Sequence, residues 1–142
     1  MHKDNFGYYI SMIYRHMQVH LNKQFNKYGF GSGQYMFFIH IVENEGITQK
    51  ELSLDLAIDK GTTAKAIHKL SKLGYIRAKQ NSDDLRSSNL YLTAKGKKLF
   101  PEVRRILDDM SDKLNSNMKV VEKNNSLKSL KKMAENITDK EE

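Results

Sequence analysis

Residues 48–74 read TQKELSLDLAIDKGTTAKAIHKLSKLG, and two helix starts lie close together within them. The first is a capping box, in which the side chains of Thr48 and Glu51 can each satisfy a backbone N–H at the helix entrance. A short apolar periodicity follows, and Asp59 is then a good N-cap for a second helix. Two helices joined by a turn of three to four residues form a helix-turn-helix, so this segment predicts that motif.

The second helix has two unlike faces. A core face recurs at the helical period and comprises Thr63, Ala66, Ile67, Leu70 and Leu73. The opposite face is small and cationic and comprises Gly61, Thr62, Ala64, Lys65, His68, Lys69 and Lys72. Such a face suits the major groove of DNA, because Thr and Lys donate to base edges and phosphates while Gly and Ala allow close approach. An ordinary amphipathic surface helix with solvated lysines would show the same pattern.

A β-hairpin is predicted after this helix, which Gly74 ends as a C′ residue. Two stretches, residues 75–80 and 88–92, alternate apolar with more polar side chains, the apolar ones being Ile76, Ala78, Leu90 and Leu92. The connecting residues 81–87 are polar and turn-forming. The tip of the hairpin should therefore project into solvent as a wing beside the helix-turn-helix.

These segments together resemble the MarR family (multiple antibiotic resistance regulators) over nearly the whole chain. The resemblance rests on residues 46–52, on residues 59–74 and above all on Asp84-Leu85-Arg86, followed by Leu92-Thr93 and Gly96. Three positions depart from the family pattern. Relatives often have Gly where Ala57 stands, a capping Thr or Ser where Gly31 stands, and another cation where Leu85 stands.

The resemblance implies a mainly α fold with a small β-hairpin wing, in a dimeric winged-helix transcription factor. Residues 1–142 would form one domain, with dimerisation helices in residues 5–30 and 94–138. The DNA-binding lobe would be residues 31–93. A two-fold dimer would place two recognition helices about 34 Å apart, so the DNA target should be a pseudo-palindrome.

The flanking helices follow from apolar periodicity. Residues 5–28 predict a long amphipathic helix, and the Gly-rich residues 29–33 stop it. A second helix over residues 34–43 is almost entirely apolar, so we expect burial on most of its sides. Ile47 should add a short strand against the wing, as the resemblance implies. More apolar surface lies on the terminal helices than one small domain can cover, which also favours a homodimer.

The C-terminal part predicts two helices. Thr93 is a plausible N-cap for the first of them, and Pro101 should kink it. Residues 115–117 are a polar break that would end this helix, but residues 124–126 serve equally well on composition.

The net charge of +7 is concentrated in one segment. Eleven basic and five acidic residues lie between residues 48 and 100, so this segment carries +6 of the total. A charge located on the predicted helix-turn-helix and wing is typical of a nucleic-acid binder. A generic basic protein would spread it.

Several classes of protein are disfavoured by composition. The chain has no cysteine, which excludes disulfides and thiol chemistry, and no phosphate-binding Gly-rich motif or nucleophile elbow. His16 and His20 share a helix face, but no acidic residue nearby completes a metal site. We therefore predict no enzyme, cofactor or metal. Neither a signal peptide nor an apolar run of about 20 residues is present, so we expect a cytoplasmic protein and no membrane partner.

A specific DNA interface is predicted. Lys65, Thr62 and His68 should read bases. Phosphate contacts should come from Lys60, Lys69, Lys72 and Lys79, and Gly61, Ala64 and Ser87 complete the surface. At the wing, Arg86 should enter the minor groove while Asp84 accepts from its guanidinium. An exposed ion pair that only stiffens the turn is the alternative.

An effector site is the least determined prediction. In the resembling family small phenolic or aromatic acids bind between the dimer helices and the DNA-binding lobe, and the candidates here are Tyr9, Met12, Arg15, His16 and Tyr35. The same side chains could simply be core and dimer interface. The leading functional hypothesis is a sequence-specific DNA-binding regulator, a repressor, because blocking a promoter needs only occupancy. The alternative is a winged-helix interaction module that binds protein or structured RNA.

Overall fold

The protein consists of six helices and one hairpin in the computed structural model, which describes residues 4–138. In chain order the elements are α1 (Phe6–Phe25), α2 (Ser32–Glu43), α3 (Gln49–Leu56), α4 (Lys60–Lys72), β1 (Ile76–Gln80), β2 (Ser88–Leu92), α5 (Ala94–Leu114) and α6 (Val120–Ile137). A single 3-10 turn, Asn26–Tyr28, follows α1. The predicted fold class, mainly α with a hairpin wing, is confirmed. No helix in residues 4–138 is both long and apolar enough to span a membrane.

The chain forms two compact units, one up to Leu107 and one from Asp108. The first unit contains the helix-turn-helix and the wing. In the second unit every residue of α6 except the half-buried Met133 is exposed, including the large apolar side chains Val120, Val121, Leu127, Leu130 and Ile137.

An aromatic cluster forms part of the core of the first unit. The Phe25 and Phe30 rings stack with their centroids 5.0 Å apart, and Tyr75 meets Phe30 edge-on at 5.8 Å. The Tyr75 hydroxyl donates to the Tyr28 carbonyl at 2.6 Å. Because Tyr75 directly follows α4 and its turn, this cluster ties the end of α4 to the end of α1.

Helix α2 begins at Ser32, two residues earlier than the sequence suggests. The Asn22 Oδ1 atom on α1 accepts from the Ser32 amide at 2.7 Å, so a distant side chain serves as the cap that Gly31 lacks. A Cβ atom at Gly31 would lie 2.5 Å from that same oxygen. The Asn22 cap and a Thr or Ser at position 31 are therefore mutually exclusive in this arrangement.

Burial of α2 is less complete than predicted. Phe37, Phe38 and Ile41 are buried, but Met36 is 45% exposed. The expectation of burial on most sides holds only in part, because α2 contacts neighbours chiefly through the face that carries these three residues.

The helix-turn-helix is capped as predicted. Thr48 Oγ1 accepts from the Glu51 amide at 3.2 Å, and Glu51 Oε2 accepts from the Thr48 amide at 3.0 Å. Asp59 Oδ1 accepts from the Thr62 amide at 2.7 Å. Between the two helices Ala57 has a φ of 53°, in the left-handed region that favours Gly. This explains why relatives often have Gly at this position. Ala57 adopts the same turn at a local cost in backbone strain.

The wing is an antiparallel hairpin in which Ile76 pairs with Leu92. An isolated bridge joins Thr48 to Asn89, which confirms a short strand contact ahead of α3. Ala78 is exposed, so the prediction that it belongs to the apolar side of the hairpin is wrong in terms of burial. Its partner Leu90 is buried, so at this level β2 packs on the core while β1 is the exposed strand of the hairpin.

Helix α5 is joined to the end of α4 through Thr93. Its Oγ1 accepts from the Gly96 amide at 3.0 Å and donates to the Gly74 carbonyl. A Cβ atom at Gly96 would overlap the carbonyl oxygen of Tyr75. The Leu-Thr and Gly part of the wing signature therefore serves the close packing of α5 on the hairpin base.

Helix α5 contains Pro101 and continues to Leu114. The first of the two predicted breaks is the correct one, because Asn117 adopts a left-handed φ of 65° and α6 begins at Val120. Residues 124–126 lie inside α6. Their side chains are exposed, and helix formation there is not opposed by burial of polar groups.

Candidate nucleic-acid interface

Helix α4 separates its two faces as the sequence predicts. Four residues of the core face are buried, namely Thr63, Ala66, Ile67 and Leu70, while Leu73 is half-buried at the C-cap. Every predicted DNA-facing position on α4 is exposed, namely Lys60, Gly61, Thr62, Ala64, Lys65, His68, Lys69 and Lys72. The helix thus presents a small, cationic surface to solvent.

The N-terminal end of α4 is organised by Asp59. Its Oδ2 atom accepts from the Thr62 hydroxyl at 2.7 Å, in addition to the amide bond of the cap. The Thr62 amide and hydroxyl bonds lower the pKa of Asp59. Since the Thr62 hydroxyl proton is already donated, this residue can offer a base edge an acceptor, such as one for an exocyclic amine, rather than a donor.

The C-terminal end of α4 is held by α5. Lys95 Nζ donates to the Leu73 carbonyl at 2.8 Å and lies 4.8 Å from the centroid of the Tyr75 ring. A cation at this position also complements the negative end of the helix dipole. Burial raises the pKa of the Tyr75 hydroxyl, and the nearby Tyr28 adds a smaller contribution in the same direction. Both ends of α4 are thus fixed by polar contacts outside its buried face.

The wing turn is held by local polar bonds. Asn81 Oδ1 accepts from the amides of Asp83 at 2.8 Å and Asp84 at 3.2 Å. Asp84 Oδ1 accepts from the backbone amide of Arg86 at 3.0 Å. The predicted Asp84 contact with the Arg86 guanidinium is corrected accordingly: two residues apart in a tight turn, the carboxylate reaches the amide first. Asp84 therefore shapes the backbone from which Arg86 projects.

A further cation lies on the wing that the sequence reasoning did not select. The Arg77 guanidinium carbon is 4.9 Å from the centroid of the Tyr91 ring. The two residues are directly paired across the strands. A cation opposite an aromatic ring in a cross-strand pair is the sequence feature from which Arg77 could have been selected. Arg77 and the predicted Lys79 are both exposed and extend the positive surface along β1.

A cleft of about 440 Å³ lies between the first turn of α3, the start of α4 and the wing turn. It brings together four predicted site residues, namely Lys60, Asp84, Arg86 and Ser87. Its other lining residues were not predicted: Thr48, Gln49, Lys50, Ser53 and Ser88. Sequence reasoning missed them because it treated α3 as a support for α4.

The predicted effector residues lie in two different environments. Tyr35 is half-buried and stacks on Phe25 with a centroid distance of 5.8 Å, and burial together with Tyr14 raises its pKa. Tyr9, Arg15 and His16 are exposed on α1, where the Arg15 Nε atom donates to its own helix at the Ser11 carbonyl, and Met12 is half-buried. Tyr35 thus belongs to the aromatic core, whereas the α1 residues form an open surface.

The helix-turn-helix has a buried core face and an exposed cationic face, and a hairpin adjoins it. These features define a winged helix-turn-helix protein. The model of the MarR family matches residues 28–87. A MarR transcriptional regulator from Methanosarcina mazei Go1 is 40% identical in sequence, and its structure superimposes with a TM-score of 0.85 over 92% of this chain and 94% of that one. This chain therefore belongs to the MarR family and is a transcriptional regulator.

Two other relatives are similar. A Listeria monocytogenes protein assigned to the MarR family, solved in complex with a 26mer DNA, is 31% identical, with a TM-score of 0.88 and coverage of 94% of this chain and 89% of that one. The HTH-type transcriptional regulator YybA of Bacillus subtilis is 35% identical over 96 residues, which are 68% of this chain and 64% of that protein. The match thus spans slightly less than two thirds of the length of YybA.

Proposed function

We propose that this regulator binds a pseudo-palindromic double-stranded DNA operator as a homodimer and represses transcription by occupying it. The observation that carries this proposal is the exposed cationic face of α4 beside the wing, in a segment with +6 of the net charge. The DNA complex of the Listeria monocytogenes relative supports DNA as the ligand. We place this regulator in the cytoplasm, together with the DNA it binds, and its function needs no catalytic group.

Base reading is assigned to the middle of the exposed face of α4. Lys65 and His68 are exposed on the helix, and Thr62 offers an acceptor at its start. Lys60, Lys69, Lys72 and Lys79 flank these residues, and the remaining close-approach positions are Gly61, Ala64 and Ser87. Long side chains at the edges of the face meet phosphates, which gives affinity, while the central ones give sequence preference.

The wing supplies a second contact. Arg86 is exposed at the hairpin turn, and the Asp84 bond to its amide sets the direction of the backbone there. A guanidinium at the tip of a narrow hairpin can follow the negative potential of a narrow minor groove. Leu85 is 71% exposed at the same tip and offers an apolar surface to the groove walls where relatives often carry a cation.

Dimerisation is assigned to the terminal helices, residues 5–30 and 94–138. Helix α1 leaves large apolar side chains exposed, namely Phe6, Ile10, Ile13, Tyr14 and Val19. Helix α6 does the same with Val120, Val121, Leu127, Leu130 and Ile137. Exposed apolar surface of this extent is unusual for a monomer, and a second copy of the chain is the partner that a two-fold operator requires. Sedimentation should give about twice the 16.5 kDa chain mass.

Release from DNA by a small phenolic or aromatic acid is the regulatory part of the proposal. Tyr9, Met12, Arg15 and His16 on α1 provide an open surface with an aromatic ring and a cation for a carboxylate, and Tyr35 on α2 is the remaining candidate, although it is half-buried in the aromatic core. Salicylate is a suitable probe. It should weaken operator binding by the wild type and have less effect on Arg15→Gln.

The decisive test is a gel-shift titration with the DNA upstream of the coding sequence of this protein. Nanomolar binding that resists scrambled competitor DNA is expected, and its affinity should fall steeply with salt. Weak binding that does not distinguish the two DNAs contradicts the proposal. That result would favour an interaction module for protein or structured RNA.

A further inference from the structure

The turn of the wing exposes a leucine beside its arginine. The Ser87 amide donates to the Asp84 carbonyl at 3.0 Å, so Leu85 and Arg86 are the two central residues of a β-turn. Leu85 is 71% exposed, and Arg86 is exposed as well. An apolar and a cationic side chain therefore lie next to each other on the exposed turn of the wing.

Polar bonds hold the backbone at this leucine. Gln80 Nε2 donates to the Leu85 carbonyl at 2.8 Å. On the other side of the peptide bond, the Arg86 amide donates to Asp84 Oδ1 at 3.0 Å. The position of Leu85 is thus set by hydrogen bonds to its backbone and not by burial of its side chain, which stays accessible to a partner.

Leucine changes what this position can offer to DNA. Many members of the resembling family carry a cation here, which attracts phosphates over a distance and is weakened by salt. A leucine attracts a surface only where water is excluded from the contact. Minor-groove binders frequently place apolar side chains in the groove, so an exposed leucine beside Arg86 is suited to a short-range contact there.

The minor groove gives an apolar side chain a way to distinguish base pairs. An A·T pair presents only the acceptors adenine N3 and thymine O2, whereas a G·C pair adds the N2 amine of guanine, which is a donor. The guanidinium of Arg86 can donate to the acceptors, but neither Leu85 nor Arg86 has an acceptor for the amine. Leu85 would displace water from that amine and leave it unpaired, which is unfavourable.

We propose that Leu85 is a specificity-determining residue that restricts the wing to A·T base pairs, because it excludes the guanine N2 amine from the minor groove. This inference rests on the proposed binding of double-stranded DNA. Arg86 supplies the attraction to the groove, and Leu85 supplies the rejection of G·C. The ligand is therefore an operator whose half-sites carry A·T pairs under the wings, beside the base pairs that α4 reads.

Inosine tests this chemistry directly, because it is guanine without the N2 amine. An I·C pair keeps the major-groove pattern of G·C and lacks the minor-groove donor. The starting duplex is one that the wild type selects from random sequences, and hydroxyl-radical footprinting locates the base pairs under the wing. These pairs are then made A·T, G·C or I·C. For the wild type, G·C should weaken binding roughly ten-fold, and I·C should restore it.

Variants at position 85 separate the leucine from Arg86, which responds to groove shape in every variant. In Leu85→Ala and Leu85→Lys the ratio of A·T to G·C affinity should fall several-fold. Leu85→Met keeps an apolar side chain of similar size and should retain the ratio. Leu54→Ala is the matched control, since Leu54 on α3 is 70% exposed, and it should also retain the ratio. Leu85→Lys should in addition raise the salt slope by about one.

Three results overturn the proposed role of Leu85. They are an A·T to G·C ratio near one in the wild type, the same ratio in Leu85→Ala as in the wild type, and I·C binding as weak as that of G·C. Melting temperatures of the variants exclude a folding defect as the cause. A wild type that selects no sequence from random DNA overturns the proposed function as well, whereas sequence-specific binding with a ratio independent of Leu85 overturns only the role of this residue.

Discussion

Helix α4 and the wing turn form the two halves of the proposed interface, yet they are held in different ways. Helix α4 is fixed by a buried face, by Asp59 at its start and by Lys95 at its end. The turn, residues 81–87, has an exposed tip and is held by side-chain to backbone bonds of Asn81, Asp84 and Gln80. The core therefore fixes the position of the helix. In the wing, local bonds fix the shape of the turn, and the two strands extend this turn into solvent.

The difference has a functional consequence. A base-reading helix must hold its side chains in a constant position relative to the rest of the protein, and burial of its opposite face achieves this. A wing that follows the minor groove must adapt to local groove width, so a turn shaped by short-range polar bonds is sufficient. Mutations in the two regions should therefore separate stability from DNA affinity.

The largest expected effect is on the buried face of α4. Leu70 has 0% exposure, so Leu70→Ala should lower the free energy of unfolding by about 2–5 kcal/mol through lost burial and a cavity. Urea unfolding measures this, with the exposed neighbour Lys69→Ala as control. A loss below about 1 kcal/mol would show that α4 is not anchored by this face.

At the wing we expect a loss of DNA affinity without a loss of stability. Arg86→Ala should reduce operator affinity by about 1–3 kcal/mol and leave the melting temperature and the dimer unchanged, because the side chain is exposed. Asp84→Ala should give a smaller loss of the same kind, since it removes only the bond to the Arg86 amide. Unchanged operator affinity in Arg86→Ala would leave α4 to account for binding alone.

Within α4, the centre and the edge of the exposed face can be compared. Lys65→Ala should relax sequence preference by about 1–3 kcal/mol at one base position per half-site. Lys72→Ala should weaken specific and scrambled DNA alike and reduce the salt slope by about one. Salt titrations on both DNAs distinguish these outcomes, and identical behaviour of the two variants contradicts the division into base and phosphate contacts.

The smallest effect concerns the pH dependence of the α4 cap. The Thr62 bonds lower the pKa of Asp59, so the carboxylate stabilises the fold above its unfolded pKa of about 4. This stabilisation is lost as the pH falls through the lower folded-state pKa. Asp59→Asn should therefore flatten the stability profile below about pH 4, measured by urea unfolding at several pH values. Asp112→Asn on α5 controls for the lost charge, and an acid limb as steep as that of the wild type would contradict the assignment.

Much of the helix-turn-helix was predictable because its determinants are short-range. The bonds of Thr48 with Glu51 and of Asp59 with Thr62 join residues three apart, and the helical period assigns the faces of α4. The wing signature could also be recognised in the sequence, but the hydrogen-bond partner of Asp84 could not. A carboxylate two residues from an arginine can reach either the amide or the guanidinium, and only the turn geometry distinguishes them.

Sequence by itself determined the order of the helices, the hairpin and the cationic face, since these depend on local capping, turn residues and periodicity, but it left the start of α2 and the break between α5 and α6 to the structure. Tertiary structure alone decided contacts between residues distant in the chain. Asn22 caps Ser32 from another helix, Tyr75 bonds to the Tyr28 carbonyl, and Lys50 and Arg86 line the same cleft. These contacts depend on how the elements pack, and no spacing in the chain encodes the distance between two surfaces that only folding brings together.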